Sequence, residues 1–590
     1  MSFESERSSS GAPVLIIAGV AVLGLVGWVF VSQQTDQRGA ERDAPEVAVP
    51  TEEPTGTADA ASAAELPEIQ AGQASAAPQQ TEAIPQTGSS GSVPPLALTG
   101  SSTVGSSEGT ATPAVQRPKP VMPWESWPKP KMAFVLTGEQ HGYFEPCGCT
   151  SNQLGGMSRR ANLVQRIRDA GWPVRGLDVG GLSRRSVRQS QIKFETTLAA
   201  LRQLNYIAVC VGPEELRLGP DFLLTQHIVD GDSPLFFVSA NLEFFGIPDL
   251  GTPVAKAIAD VEGAKIGITG IMGDSVQKTV LPHSDITWKP AEPELEKVLA
   301  DFQQAEVQLP ILLSQSSVEE SRKLAEQFPQ FPIVITAEGI GDPDPDEPPE
   351  KVGKSLLIGT GRKGKYVGVL GWYPDDAETP FRYQLVSLER DDFDETPAMI
   401  KLMAGYQERL KDEKIVLVDA ISAPHPSTSN FVGAAACAEC HTSAQKVWKD
   451  TAHAHALESL DPKNQRTGFE RLNGVGRMYD PECLSCHVTG WEPQEYIRYR
   501  SGFLNEEFAA APEEQKLHQL LAGSQCENCH GPGSRHIEMV NNGDDNSGES
   551  VRVTLEDAKR AACEKCHDAD NSPKFDFDTF WDQIRHPGLD

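Results

Sequence analysis

Basic residues are scarce in this chain. Its 590 residues hold 52 Lys and Arg against 83 Asp and Glu, a formal net charge of −31. So acidic a balance excludes nucleic acid as a partner and gives a soluble, self-repelling surface. Cysteine is scarce too outside one short pattern: eight of the eleven sit in a repeated motif, leaving Cys147, Cys149 and Cys210. Three spare thiols cannot supply a disulfide framework. Between Ser32 and Met122 there is no Phe, Trp or Tyr, and the stretch is rich in Ala, Ser, Thr, Gly, Pro and Glu. Such a composition cannot bury enough apolar surface to offset the entropy of ordering, so residues 33–123 read as a disordered linker. As a flexible coil it would span on the order of 50 Å. Trp124 and Trp127, among prolines, mark the approach to the folded part.

The pattern that uses the eight cysteines fills the last 160 residues. It reads Cys437-Ala-Glu-Cys440-His441, Cys483-Leu-Ser-Cys486-His487, Cys526-Glu-Asn-Cys529-His530 and Cys563-Glu-Lys-Cys566-His567. C-x-x-C-H is the attachment signature of c-type haem. Each thiol pair forms thioethers to the porphyrin, and the adjacent His becomes the proximal iron ligand. Cys and His also build zinc sites, but four repeats with the His always in the same place favour haem. The expectation is a multihaem cytochrome c with four covalently attached haems and a one-electron carrier role. Five further His residues in this part, His453, His455, His518, His536 and His586, are candidates for the opposite iron face.

Residues 8–35 carry no formal charge, and the eighteen residues from Val14 to Val31 are almost wholly apolar. That length just crosses a bilayer core. A cleaved signal peptide competes, but the run is long for one, and neither a small-x-small site nor a lipid-accepting Cys follows it. The chain therefore reads as a cytoplasmic tail (1–12), a transmembrane anchor (13–32), the linker, an α/β domain (124–390), a connecting helix and linker (391–430) and a haem domain (431–590). Haem attachment is completed outside the cytoplasmic membrane, which places the C-terminal domains on the extracytoplasmic, periplasmic side of a single-pass protein. Its expected partners are redox proteins or a membrane electron donor.

From Lys131 to about Leu388, short apolar strands alternate with helical segments. MAFVLTG, PVRGLDVGG, YIAVCVG, FFVSANLEF, KIGITGI, LPILLSQ, FPIVIT, SLLIGTG and KYVGVLGWY read as strands; SRRANLVQRIRDAG and Lys193–Leu204 read as helices. This alternation implies an α/β domain with a largely parallel or mixed sheet. Further on, FDETPAMIKLMAGYQERLKD reads as a helix and KIVLVDAISA as a strand.

Several blocks in this region, Thr137-Gly-Glu-Gln-His141-Gly, Leu154-Gly-Gly-Met-Ser-Arg159-Arg160, Leu177-Asp-Val-Gly-Gly181 and Val211-Gly-Pro-Glu-Glu-Leu216, follow one another in order. Together they resemble the metallophosphoesterase domain of periplasmic 5′-nucleotidases over residues 131–375, which implies an α/β sandwich. That family holds two divalent metals on Asp, His and Asn side chains to activate water. Here its first Asp position is Glu139, followed by His141. Its bridging Asp is Gly181, and its Asn-His pair is Pro213-Glu214. A ligand His is Gln315, and the terminal Gly-His-x-His is Glu338-Gly339-Ile340-Gly341. One His and one Glu cannot supply two metals, so hydrolysis is not expected. The loop after the first strand carries Glu145-Pro-Cys147-Gly-Cys149, resembling a Cys-Gly-Cys branch of nucleotidase-like proteins. Cys147 and Cys149 are the candidates for redox, soft-metal or nucleophilic chemistry, with a structural pair as the alternative.

The C-terminal segment resembles the tetrahaem cytochrome c-554 family over residues 431–590, which implies a mainly α-helical multihaem domain. The resemblance rests on the words Trp448-Lys-Asp-Thr-Ala-His453, Cys529-His530-Gly-Pro-Gly-Ser-Arg-His536, Trp581-Asp-Gln-Ile-Arg-His586 and Cys483-Leu-Ser-Cys-His-Val-Thr-Gly490. It implies that His453, His536 and His586 are distal iron ligands, with His455 able to replace His453 and His518 a further candidate. The alternative to a pure carrier is a haem-dependent oxidoreductase working at an open haem or at Cys147/Cys149.

Overall fold

The computed structural model describes residues 120–587 apart from 147–152, 227–234, 249, 338–340 and 465–471. The anchor at 13–32, nearly all of the linker, and Cys147 and Cys149 lie outside the described residues. Among the described residues, no helix is long and apolar enough to cross a membrane.

Among the described residues, the N-terminal part contains fourteen strands: β1 (Met132–Thr137), β2 (Val174–Asp178), β3 (Tyr206–Cys210), β4 (Phe236–Val238), β5 (Leu242–Phe244), β6 (Lys256–Val261), β7 (Ala264–Met272), β8 (Ile286–Trp288), β9 (Leu309–Gln315), β10 (Ile333–Thr336), β11 (Glu350–Val352), β12 (Ser355–Gly359), β13 (Tyr366–Trp372) and β14 (Phe381–Ser387). Twelve of them make two six-stranded sheets, in the orders β14-β13-β1-β2-β3-β4 and β11-β12-β10-β9-β7-β6. The centre of each is parallel, and the antiparallel pairs lie toward the edges. Apolar side chains of the two sheets face each other: Phe134, Leu136 and Leu177 meet Ile266, Ile311 and Ile335. The other face of the first sheet is covered by the helices Met157–Asp169 and Arg188–Gln203. Ala291–Gln304 and Val318–Gln327 cover the second. Strands such as β1, covered on both faces, read as unbroken apolar runs for this reason. The expected α/β sandwich with mixed sheets is present.

Two readings of the sequence need correction. FFVSANLEF is not one strand but β4 and β5 in different sheets. Asn241 causes the break, because its amide clasps both the N–H and the carbonyl of Met272 at 3.0 and 2.9 Å. KIVLVDAISA is not a strand either. Ile415–Val418 forms one helical turn, and only Ser422–Ala423 pairs, in a three-stranded sheet with Ile497–Tyr499 and Trp491–Glu492. The turn delivers Asp419 to the start of Arg188–Gln203, where its carboxylate accepts from the N–H groups of Arg188 and Gln189 at 3.1 and 2.5 Å. Val187 gives that helix no side-chain cap, so a residue some 230 positions away satisfies its orphan donors.

The connecting helix, Pro397–Asp412, packs on both helices of the first sheet. Beyond it the chain forms short helices, among them Thr442–Lys449, Pro481–His487, Pro512–Leu520, Cys526–His530, Ser534–Asn541 and Phe577–Ile584. Their shared apolar core is small, built on Leu484, Val488, Trp491, Phe503 and Leu521. The described residues belong to one compact unit.

Candidate haem-binding site

The four attachment words are close in space although 37 to 46 residues separate them in sequence. The thiols of Cys437 and Cys526 interact, as do those of Cys486 and Cys566. Cys529 lies beside Cys563, and burial pushes its thiol up to about 11. The words are thus ordered in space as first, third, fourth and second. Glu527, inside the third word, holds three segments together. Its buried carboxylate accepts from Val432 N, Gly433 N and Gly533 N at 2.8 to 2.9 Å. That fixes the entry to the first word and the turn leading to His536.

Three of the four proximal candidates face a second imidazole. His441 faces His536 with ring centroids 6.3 Å apart, His567 faces His453 at 6.0 Å, and His530 faces His586 at 5.9 Å. Two imidazoles bound to one metal, at about 2.0–2.1 Å per nitrogen, place their ring centres about 6 Å apart. The hydrogen bonds fit the same use. The Nδ1 atoms of His487, His530 and His536 lie 2.7–2.8 Å from the carbonyls of Ala456, Val551 and Ser547. Each therefore donates from Nδ1, which in the neutral imidazole leaves Nε2 as the nitrogen able to ligate a metal. Burial, with the facing His567 adding to it, lowers the pKa of His453. Burial likewise lowers that of His530, reinforced by His586 and His441. Both shifts favour the neutral form that can ligate. The residues present fit covalently attached haem.

The other candidates fall elsewhere. His455 pairs with Glu458 through Nδ1 at 3.2 Å. Trp448 Nε1 donates to Ser524 O at 2.9 Å, and Ser524 N donates to His453 O at 3.0 Å. This tether presents His453, rather than His455, to His567. His518 lies in the helix Pro512–Leu520 with its ring 5.2 Å from that of Phe503. A cavity of about 290 Å³ touches the third word at Cys529 and His530, and is lined also by Phe431, Trp491, Tyr499, Arg552 and Lys565. Its aromatic wall and cationic rim suit one edge of a porphyrin.

In the α/β part, the positions that would hold metal converge at the carboxyl ends of β1, β2, β3 and β9, but their side chains bond to one another. His141 Nε2 is 3.0 Å from Glu139 Oε2, and Gln315 Nε2 donates to Glu139 Oε1 at 3.2 Å and Val179 O at 2.7 Å. Gly181 has φ +73°, and a Cβ there would stand 2.7 Å from Glu139 Oε1. Glu139 thus occupies the space that a bridging Asp would need. Sequence reasoning missed Glu215, which is fully buried and accepts from Gly181 N, Leu182 N and Gly212 N at 3.1, 2.6 and 2.8 Å. Burial, with the neighbouring Glu214, pushes its carboxyl up to about 7. No pattern in the sequence marks it apart from Glu214.

Repeated C-x-x-C-H words bringing opposed imidazoles together mark a c-type cytochrome module. Residues 436–531 match the family of cytochrome c554 and c-prime. The chain is similar to cytochrome c-554 of Nitrosomonas europaea, 33% identical over 106 residues, which are 18% of this chain and 39% of the relative. It thus spans about two-fifths of the length of that curated relative. Among solved structures it is similar to a 5′-nucleotidase precursor from Thermus thermophilus, at 19% identity and TM-score 0.42, covering 50% of this chain and 61% of that one. Similar too is the NAD nucleotidase of Haemophilus influenzae, at 15% identity and TM-score 0.40, covering 55% and 72% respectively.

Proposed function

We propose that this chain is a membrane-anchored, extracytoplasmic tetrahaem electron carrier whose α/β domain does not hydrolyse phosphate esters. The observation that carries the reading is the set of three facing imidazole pairs, His441/His536, His567/His453 and His530/His586. Two imidazoles on one iron fill its coordination sphere and favour outer-sphere electron transfer over binding of a small substrate. Bound haem supplies a one-electron iron couple; the chain's part is to hold each porphyrin through Cys437/Cys440, Cys483/Cys486, Cys526/Cys529 and Cys563/Cys566. With haem bound, the spatial order of the words would make the first and third, third and fourth, and fourth and second sites neighbours for electron exchange. Against hydrolysis stand Gly181, which has no side chain to ligate a metal where the nucleotidase pattern needs one, and Gln315, whose amide is bonded to Glu139 and Val179. The apolar run Val14–Val31 supports the anchor, and the haem words support the extracytoplasmic side. The full chain, matured with a haem-attachment system, is expected to contain four haems by pyridine haemochrome assay. A content well below four would overturn the tetrahaem reading.

A further inference from the structure

The second attachment word is built into the α/β domain rather than placed beside it. Asp480 caps the helix Pro481–His487, accepting from Glu482 N at 3.0 Å, while its carbonyl takes Cys483 N and Leu484 N. Its side chain is buried. Oδ1 accepts from Gln189 Nε2 at 2.7 Å and Oδ2 from Gln407 Nε2 at 2.8 Å. Gln189 belongs to the helix Arg188–Gln203 and Gln407 to the connecting helix. Two residues on, Glu482 is bound by Lys193 of that same domain helix, with N–O 2.6 Å and the lysine side chain only 13% exposed. Arg477, 4% exposed at its side chain, is held from the other side by Glu145, with Nε to Oε2 at 3.2 Å. Two buried cations and three carboxylates from both domains thus surround the start of the helix that carries Cys483, Cys486 and His487.

Charges held away from water act on a neighbouring charge through a low effective dielectric, and they stay buried only because each is paired. We infer that the α/β domain serves as an electrostatic mount for the second haem, with Lys193 as the positioning residue that holds Glu482 and raises that haem's reduction potential. The inference rests on the tetrahaem reading. Reduction of the iron adds one electron and one negative charge to the site. A nearby cation therefore favours the reduced form, and a nearby carboxylate favours the oxidised one.

The test is a redox titration of the full-chain holoprotein, followed by haem absorbance. In Lys193→Met, one of the potentials should fall by about 59 mV, a tenfold change in that haem's oxidised-to-reduced ratio for one electron. In Glu482→Gln one potential should rise by a similar amount, and the double variant should return close to wild type. A merely structural role for the pair would not produce opposite shifts that cancel. Unchanged potentials in both single variants would overturn the inference, as would shifts of the same sign that the double variant fails to restore. Should Lys193→Met not mature, the near-isosteric Glu482→Gln decides alone, since an absent rise contradicts the mount. Haem content separates the two claims: four haems with unmoved potentials sink the mount and leave the carrier, whereas fewer than four in the wild-type holoprotein sink the carrier as well.

Discussion

Glu215 shows how one side chain makes part of the molecule sensitive to pH. It is buried with its oxygens on three backbone N–H groups, and burial pushes its carboxyl up from the usual 4.5 to about 7. A raised folded value means the folded state binds the proton more tightly than the unfolded chain. The stability this supplies is fully present below about pH 4.5 and is lost as pH climbs to about 7, on the order of 3 kcal/mol in all. Glu215→Gln, which cannot ionise, should flatten the dependence of the thermal midpoint on pH across that window. Equal slopes in variant and wild type would refute the assignment. The neighbouring histidines His453 and His455 offer a second comparison at this scale. His453→Ala should convert one low-spin ferric signal to high-spin in the EPR spectrum. His455→Ala, which loses only a contact with Glu458, should leave the spectrum as it was. A change of equal size in both variants would contradict the pairing with His567.

At the level of elements, local chemistry made some features legible and distant partners hid others. MAFVLT reads as a strand because both faces of β1 are covered, so every residue is apolar. β14, with sequence FRYQLVS and mostly half-buried side chains, has no such run and escapes notice. The apolar letters of KIVLV mislead for another reason. Lys414 sits in the left-handed region at φ 53° and starts a helical turn, and the segment's role is to carry Asp419 to a distant helix end. Gly490 makes a related element possible. It has φ +88°, its carbonyl accepts from Tyr499 N at 3.0 Å, and a Cβ on it would lie 2.3 Å from Gly502 Cα. This close crossing seats the turn between the second attachment word and Trp491. Gly490→Ala should cost about 1–3 kcal/mol through backbone strain alone, and more through the clash, so the thermal midpoint of the holoprotein should drop by several degrees. An unchanged midpoint would show that the crossing can open freely.

For the whole molecule, the attachment words were legible because two thiols and a proximal imidazole must lie within five consecutive residues. Distal partners carry no such constraint. His567 and His453 are 114 residues apart in sequence and meet only through the fold. The family words named His453, His536 and His586, the three that face a proximal candidate in the fold, without saying which partner each would face. Contacts between the domains were invisible to sequence reading for the same reason. Nothing in the letters joins Lys193 to Glu482, or Gln189 to Asp480, across nearly 290 positions. Assembly of opposed imidazoles around four attachment words can be read from spin-quantified EPR of the oxidised full-chain holoprotein. It predicts at least three low-spin ferric centres per chain, one for each facing pair. Fewer than three, in a sample carrying four haems, would contradict it.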